Sequence, residues 1–433
     1  MVSEDNVRLS IKHRVRCPHC WTYFPPENSL WIAAHQSLHG DKRLGEDAPL
    51  RFLPSRFDVG GKAIDQKGMA CNEIACPNCH LQIPRPVLQL APMFVSIAGT
   101  PSCGKSYFLS SMTWQLRQSL PGKFSVGFSD ADGLCNQILN DYEEQQFFNP
   151  NQEELVRLAK TEEQGDLYSE VAFEDQVITF PKPFLFTVRP QANHPSFERQ
   201  SHVSRLVGLY DNAGESFQAG KDTVVNAVTR HLSIADGWLF CFDPTQNPKF
   251  RQDHGGKTSD IQMTDAPVTA RQEPVFHEMI ARIRKHSRLD ELEKTDRPLL
   301  ILCNKYDAWW KLLGKERLPD PWKMNSRGFA GLDMSLIQKV SDKLRKLLNK
   351  YVPAMVSGAE SFSNRCFFIP VSATGTPPEK DLETDTYGIR PCNMKPMWCD
   401  VPLLVIMSER APSLIGHRKS KTKTSDAYDG SEP

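Results

Sequence analysis

Met93-Phe-Val-Ser-Ile-Ala-Gly99-Thr100-Pro101-Ser102-Cys103-Gly104-Lys105-Ser106-Tyr107 joins an apolar run of strand length to a glycine-bearing turn, and the turn to a helix-like segment, Tyr107–Leu116. The turn matches GxxxxGK[ST]. Glycines at both ends let the backbone wind so that N–H groups point inward, and a helix beginning at Lys105 adds positive dipole there. Such a turn is built to hold phosphates. Lys105 reaches the terminal phosphates and the Ser106 hydroxyl offers a ligand to Mg²⁺. Cys103 reads as a small filler that contributes its backbone N–H.

Outward from this turn the pattern repeats as strand, loop and helix. Apolar runs fall at Met93–Ala98, Phe184–Val188, Leu206–Tyr210, Gly237–Phe242, Leu299–Cys303 and Cys366–Val371. Helical spacing marks Thr223–Ile234, Pro274–Lys285, Leu336–Tyr351 and Val401–Ala411. Short buried strands alternating with amphipathic helices predict an α/β fold, a mostly parallel sheet covered by helices on both faces. Residues 121–182 break the rhythm and read as an insertion, with Glu153–Lys160 helical. Residues 244–273 are polar and rich in Gly, Asp and Thr, and read as a long loop. The expected division is 1–92, 93–416 and a charged, disordered tail, 417–433.

Three further motifs follow predicted strands. Asn304-Lys305-Tyr306-Asp307 matches NKxD after Leu299–Cys303. A carboxylate at Asp307 accepts two hydrogen bonds from the ring N–H and exocyclic amine of guanine, whereas adenine would leave it desolvated without partners. The Lys305 stem lies along the base, and Asn304 braces the phosphate loop or the base loop. Asp211-Asn-Ala-Gly214-Glu215 gives DxxG, and Ser372-Ala373 gives an SA turn after the last strand. DxxG alone carries almost nothing. The order of the four motifs, each at the carboxyl end of its own strand, is what matters, because ligands bind at that edge of open α/β sheets. Trp309 and Trp310 read as packing residues.

These motifs resemble those of the translation-factor-related (TRAFAC) class of P-loop GTPases over 93–416. The resemblance implies that Gly99 to Tyr107 hold GTP and Mg²⁺, that Asp211 supports the Mg²⁺ through water, and that the Gly214 amide senses the γ-phosphate. It also implies that Asn304, Lys305 and Asp307 read the base, with Ser372 and Ala373 beside it. The LYDNAGE sequence, the insertion and an N-terminal cysteine module are similar to bacterial double-GTPase families of conflict or defence systems. Two departures stand out. The switch threonine has no clear signature; Thr179 is the first candidate, with Thr187 and Thr161 as alternatives. The position that often carries a water-positioning Gln is Glu215, which orients water only as an acceptor. Hydrolysis of GTP to GDP and phosphate is therefore expected to be slow without a partner.

In the N-terminal part, Cys17-Pro-His-Cys20 and Cys76-Pro-Asn-Cys79 form two CPxC knuckles, a spacing that places four thiolates for structural Zn²⁺. A second set stays open: Cys17 and Cys20 with His35 and His39. Cys71 and His80 lie near enough to replace a ligand. The 433 residues carry 52 basic and 52 acidic side chains, so bulk charge points to neither nucleic acid nor membrane. No apolar run approaches the roughly 20 residues of a membrane span. Twelve cysteines with two metal-spaced pairs beside a nucleotide motif suit a reducing compartment, and the cytoplasm is the expected location. Two functions fit. One is a regulatory GTPase switch with a protein effector or an activating partner, such as a second GTPase or another copy of itself. The other is a GTP-binding scaffold whose nucleotide stabilises a dimer.

Overall fold

The computed structural model describes residues 11–158, 167–174, 176–212, 217, 230–257, 260–264, 271–326, 328–381 and 383–417. Its centre is a seven-stranded sheet. In chain order the strands are β1 (Ala91–Gly99), β2 (Val126–Asp130), β5 (Phe184–Pro190), β6 (Arg205–Asp211), β7 (Gly237–Phe242), β8 (Leu299–Cys303) and β9 (Cys366–Pro370), while β3 (Tyr168–Phe173) and β4 (Gln176–Pro181) form a separate hairpin. The spatial order is β2-β5-β6-β1-β7-β8-β9. From β6 to β9 every pairing is parallel; β5 runs antiparallel to both β2 and β6. All of β7 (GWLFCF) and β8 (LLILC) is buried, so the sheet is covered on both faces. Continuous apolar runs without alternation are what such central strands require.

The covering helices are α1 (Lys105–Ser119), α2 (Gly133–Phe147), α3 (Pro248–His254), α4 (Ile261–Thr264), α5 (Gln272–Ser287), α6 (Met334–Asn349), α7 (Pro353–Phe362) and α8 (Val401–Arg410). The α6 helix shows how sequence sets this. Asp333 caps it by accepting from Leu336 N, and Ile337, Val340, Leu344 and Leu348 form one buried stripe at helical spacing.

Several expectations need correction. The sheet is parallel from β6 to β9, in line with a mostly parallel sheet, but Phe184–Val188 departs from it by pairing antiparallel on both sides. Residues 121–182 are not merely inserted: β2 is the sheet's edge strand, and α2 packs on α1 and β5. Glu153 to Leu158 is not helical. Val156 instead bridges Ile389, so the backbone there is satisfied by extended pairing. Within 244–273, Asn247 caps α3 with Pro248 at its first position, and α4 and the start of α5 follow, so this stretch is substantially helical. Of Thr223–Ile234, Arg230–Ile234 forms a 3₁₀ turn, and 223–229 lie outside the described residues, as do 418–433 of the expected tail.

The cysteine-rich part does not stand apart. Its core residues Val15, Cys17, Trp21, Phe24 and Ile74 belong to one buried cluster with Phe94 of β1, Leu206 and Tyr210 of β6, and Val171 and Phe180 of the β3–β4 hairpin. No helix among the described residues is long and apolar enough to cross a membrane.

The edge of the sheet is held by one side chain. Buried Asn136 of α2 accepts from Leu185 N (2.7 Å) and donates to Leu185 O (2.9 Å) and to the Asp130 carboxylate (2.6 Å). Asn136→Ala removes the partner of the Leu185 N–H and is expected to lower unfolding free energy by about 2 kcal/mol, read from urea denaturation.

Candidate functional site

The strand registers align the carboxyl ends of the parallel strands. Asp211 stands opposite Ile97, Cys241 opposite Gly99, Phe242 next to Cys303, and Cys303 next to Pro370. The segments holding the predicted motifs leave from this one edge. Residues 99–107 leave β1, 211 onward leaves β6, 304–307 leaves β8 and 372–373 follows β9.

The turn after β1 is built from strained-for-anything-else positions. At Gly99 an added Cβ would lie 2.8 Å from the Cys241 carbonyl oxygen and 2.9 Å from Cys103 Sγ. Gly104 caps α1 with φ +91°, a left-handed conformation that favours glycine. Ser102 is also left-handed, at φ 61°. Lys105 is buried and donates to the Gly99 and Thr100 carbonyls (3.0 and 3.1 Å), curling over the loop. Thr100 and Cys103 are buried. Ser106 follows Lys105 in the first turn of α1, and the Tyr107 hydroxyl accepts from Leu158 N at 3.1 Å.

The NKxD segment touches this turn directly. Asn304 Nδ2 donates to the Cys103 carbonyl (2.6 Å), and Asn304 N donates to Phe242 O (2.8 Å). Trp309 is buried and donates to Asn304 O (3.0 Å), a packing and bracing role. Lys305 adopts φ 55° and pairs with the fully buried Asp243 at 2.6 Å. Asp307 accepts from Gln262 Nε2 (2.8 Å) and from the Ser372 hydroxyl. Burial raises the Asp307 carboxyl to about 6, against the opposing pull of its Ser372 and Gln262 donors. Ser372 is itself held by Gly375 N (2.8 Å), and the Ala373 carbonyl accepts from Ser111 of α1 (2.7 Å).

Residues from both segments line one cavity of about 450 Å³. Ser102, Cys103, Gly104 and Tyr107 of the turn line it together with Asn304, Lys305, Asp307 and Ala373. That volume suits a small organic ligand. Gln246, Gln262, Arg157 and Ile389 also line it, and none of them stood out in the sequence. Their signal was weak. An Asn-Pro pair at 247–248 is the signal that could have found order in 244–273, and Asp243 directly follows the strand Gly237–Phe242 at the ligand edge.

Asp211 ends β6, buried, beside Asn212, whose side chain donates to Ile97 O (2.9 Å) and accepts from His231 Nε2 (2.8 Å). His231 also meets Ser96 Oγ (2.7 Å), stacks on Tyr210 at 4.5 Å, and is lowered by burial to about 3, so it is neutral. Gly214, Glu215 and Thr161 lie outside the described residues. Thr179 is half-buried in β4, paired with Glu170, and does not line the cavity. Thr187 is bonded to Ser129 and pairs with Leu206, at the far end of β6 from Asp211, which removes it from the ligand edge.

The two knuckles converge. The ligand atoms of Cys17, Cys20, Cys76 and Cys79 all lie within 4.8 Å of one another. Cys17 to Cys79 is 3.8 Å and Cys20 to Cys76 is 3.7 Å. Tetrahedral bonds of about 2.3 Å would set sulfurs about 3.8 Å apart, so the four thiols fit zinc. The knuckles share one backbone plan. Trp21 N donates to Cys17 O and His80 N to Cys76 O, and both residues have φ near +60°. His19 N and Asn78 N donate to Cys17 and Cys76 sulfurs (3.3 and 3.4 Å). His35 is bonded to Ser37, and His39 to Asp47 O; neither belongs to the four-sulfur group. Cys71 bonds Met69 O, and His80 is paired with buried Asp41 (2.7 Å).

No family model matches the chain, and no curated protein matches it. Solved structures similar to it include sup35 complexed with GDP, 10% identical over 66% of this chain and 38% of that one, with a TM-score of 0.23. The S. cerevisiae Ski7 GTPase-like domain bound to GTP is 13% identical over 66% of this chain and 43% of that one, with a TM-score of 0.25. The chain thus spans about two-fifths of the length of these structures, as their covered shares of 38% and 43% give.

The close approach at Gly99 is testable. Gly99→Ala pushes a methyl into the Cys241 carbonyl and is expected to destabilise the fold by about 2 kcal/mol. Gly122→Ala, with nothing within 4 Å, serves as the control in the same thermal unfolding measurement.

Proposed function

We propose that this chain is a guanine-nucleotide-binding P-loop protein that hydrolyses GTP to GDP and phosphate. The observation that supports the reading is the shared cavity, lined both by the phosphate-type loop and by Asp307, with the Asn304 to Cys103 bond joining the two segments. A carboxylate in a half-buried wall selects a base that offers two adjacent N–H donors, which guanine does and adenine does not. Lys305, locked by Asp243, presents its stem along the cavity wall.

Gly99 to Tyr107 would surround the phosphates, with the backbone amides and the α1 dipole meeting their charge. Lys105 would exchange its two loop carbonyls for phosphate oxygens. Ser106 and Asp211 are the side chains suited to Mg²⁺, which when bound neutralises charge on the phosphate oxygens. Thr179 and Glu215 complete the proposed set as switch threonine and water-orienting acceptor, and Gly214 as the γ-phosphate sensor. The working unit is a regulatory switch, with 1–92 as zinc module, 93–416 as nucleotide domain, and a protein partner that speeds turnover. The cytoplasm suits its free thiols.

The purified full chain is expected to bind GTP with Mg²⁺ and to discriminate against ATP. Lys105→Ala should lose at least about a hundredfold in GTP affinity, the scale of losing charge-assisted phosphate contacts. Asp307→Asn should move preference from GTP to XTP, because the amide donates where xanthine accepts. Equal binding of ATP by the native protein would overturn the reading.

The zinc assignment is read by elemental analysis. One equivalent of Zn²⁺ is expected in the native chain and well below one in Cys76→Ser, together with lowered thermal stability, since structural zinc contributes about 10–16 kcal/mol to small folds. Full zinc content in Cys76→Ser would remove Cys76 from the ligand set.

A further inference from the structure

Three glutamines, from just after β7 to the first residue of α5, reach groups that line the cavity or hold its lining. Gln246 Nε2 donates to the Ser102 carbonyl of the phosphate-type loop (3.3 Å). Gln272 closes both backbone groups of Asp243, accepting from Asp243 N and donating to Asp243 O at 2.8 Å each, and Asp243 is the partner of Lys305. Gln262 Nε2 donates to Asp307 Oδ2 at 2.8 Å. The stretch that reads as a polar loop is thus fastened to the phosphate-type loop and to Asp307, both of which line the cavity.

Of the three, Gln262 acts on the group that would choose the base. Its side chain is buried and lines the cavity. Its backbone is fixed: Asp260 Oδ1 accepts from Gln262 N (2.9 Å), and the next residue, Met263, is buried in the main core. A carboxylate carries two lone pairs on each oxygen. Ser372 takes one on Oδ1 and Gln262 one on Oδ2, which leaves one on each oxygen for a ligand with two adjacent donors.

We infer that Gln262 is a specificity-determining positioning residue, holding the Asp307 carboxylate in the orientation that accepts two N–H donors from the base. The inference rests on the guanine reading proposed above. Ser372 alone would leave the carboxyl free to turn about its remaining bond and to take up a proton. A protonated carboxyl offers one acceptor and one donor, and it meets the exocyclic amine of guanine no better than it meets a base lacking that amine.

The charges around Asp307 give the sign of the pH effect. Asp260, immediately before α4, raises its carboxyl, Lys305 beside it is already paired with Asp243, and the Cys399 thiol, after β9, is itself raised by burial and stays neutral. Arg157 lines the same cavity from the segment bridged to Ile389. Donors to the ionised form favour it, so deleting Gln262 raises the Asp307 carboxyl further above about 6. Binding that needs the ionised form then fails at a higher pH.

The test compares the native full chain with Gln262→Leu and the near-isosteric Gln262→Glu, by titration with GTP and with ITP, which lacks the exocyclic amine, from about pH 5.5 to about pH 8. Both variants are expected to bind GTP about tenfold more weakly at neutral pH, the loss of one hydrogen bond to a charged group. Their GTP over ITP preference should shrink, and the acid fall of GTP affinity should begin at higher pH than in the native chain. An equal loss for GTP and ITP at every pH, with the acid fall unmoved, would reduce Gln262 to a packing residue and overturn the inference. Failure of the guanine reading itself is seen separately, in the native chain, as equal affinity for ATP and GTP.

Discussion

The whole site depends on how closely β1 and β7 approach at their carboxyl ends. Gly99 faces the Cys241 carbonyl and Cβ with no room for a side chain, and Cys103 folds back into the same contact. Only this fit turns the chain sharply enough for Gly104 to cap α1 in a left-handed conformation and for Lys105 to lie over its own loop. Close packing of two small residues against a glycine is thus the condition for a loop whose amides converge. The second brace, Asn304 to Cys103, depends on the first, because the carbonyl it holds belongs to the turn so formed.

The sequence carried most of the central architecture because its strands are buried on both sides. A run such as Leu299–Cys303 needs no partner to be recognised: five consecutive apolar residues have nowhere to go but a covered sheet. The motif residues could be read for a related reason, since their spacing encodes chemistry rather than packing. What escaped was structure whose stability comes from tertiary polar contacts. Val126–Asp130 is short and ends in Ser-Asp, and it becomes an edge strand because Asn136 and β5 supply its partners. Glu153–Lys160 has helix-forming composition, yet pairing of Val156 with Ile389 wins over propensity along its described part. Residues 244–273 hold few apolar anchors, so periodicity was silent while buried glutamines did the fastening.

The candidate site divides along the same line. Residues 99–107, 304–307 and 372–373 were legible and stand around one cavity; Gln246, Gln262 and Asp243 were not, since a glutamine or aspartate near a ligand looks like any other polar residue until its neighbours are known. The candidate metal ligands show the converse. Sequence left Cys17 and Cys20 free to pair with either Cys76 and Cys79 or His35 and His39, and the choice falls on backbone geometry. Both CPxC turns repeat the same left-handed residue after the second cysteine, and that twofold likeness brings four sulfurs together.

The knuckle also bears on the carboxyl edge of the sheet through a short chain of contacts. Tyr210 donates its hydroxyl to Pro18 O inside the first knuckle (2.5 Å) and accepts from Trp21 Nε1 (3.1 Å). Its ring stacks on His231, whose nitrogens meet Ser96 of β1 and Asn212 of the DxxG segment. Because His231 is buried and neutral, one ring nitrogen donates and the other accepts, so the two contacts fix its tautomer together. A shift of Asn212 therefore cannot leave the His231 ring undisturbed, and the ring lies flat on the residue that bonds the knuckle. Docking the cysteine module on β6 places it one side chain from Asp211, and its core is continuous with the strand that carries that aspartate.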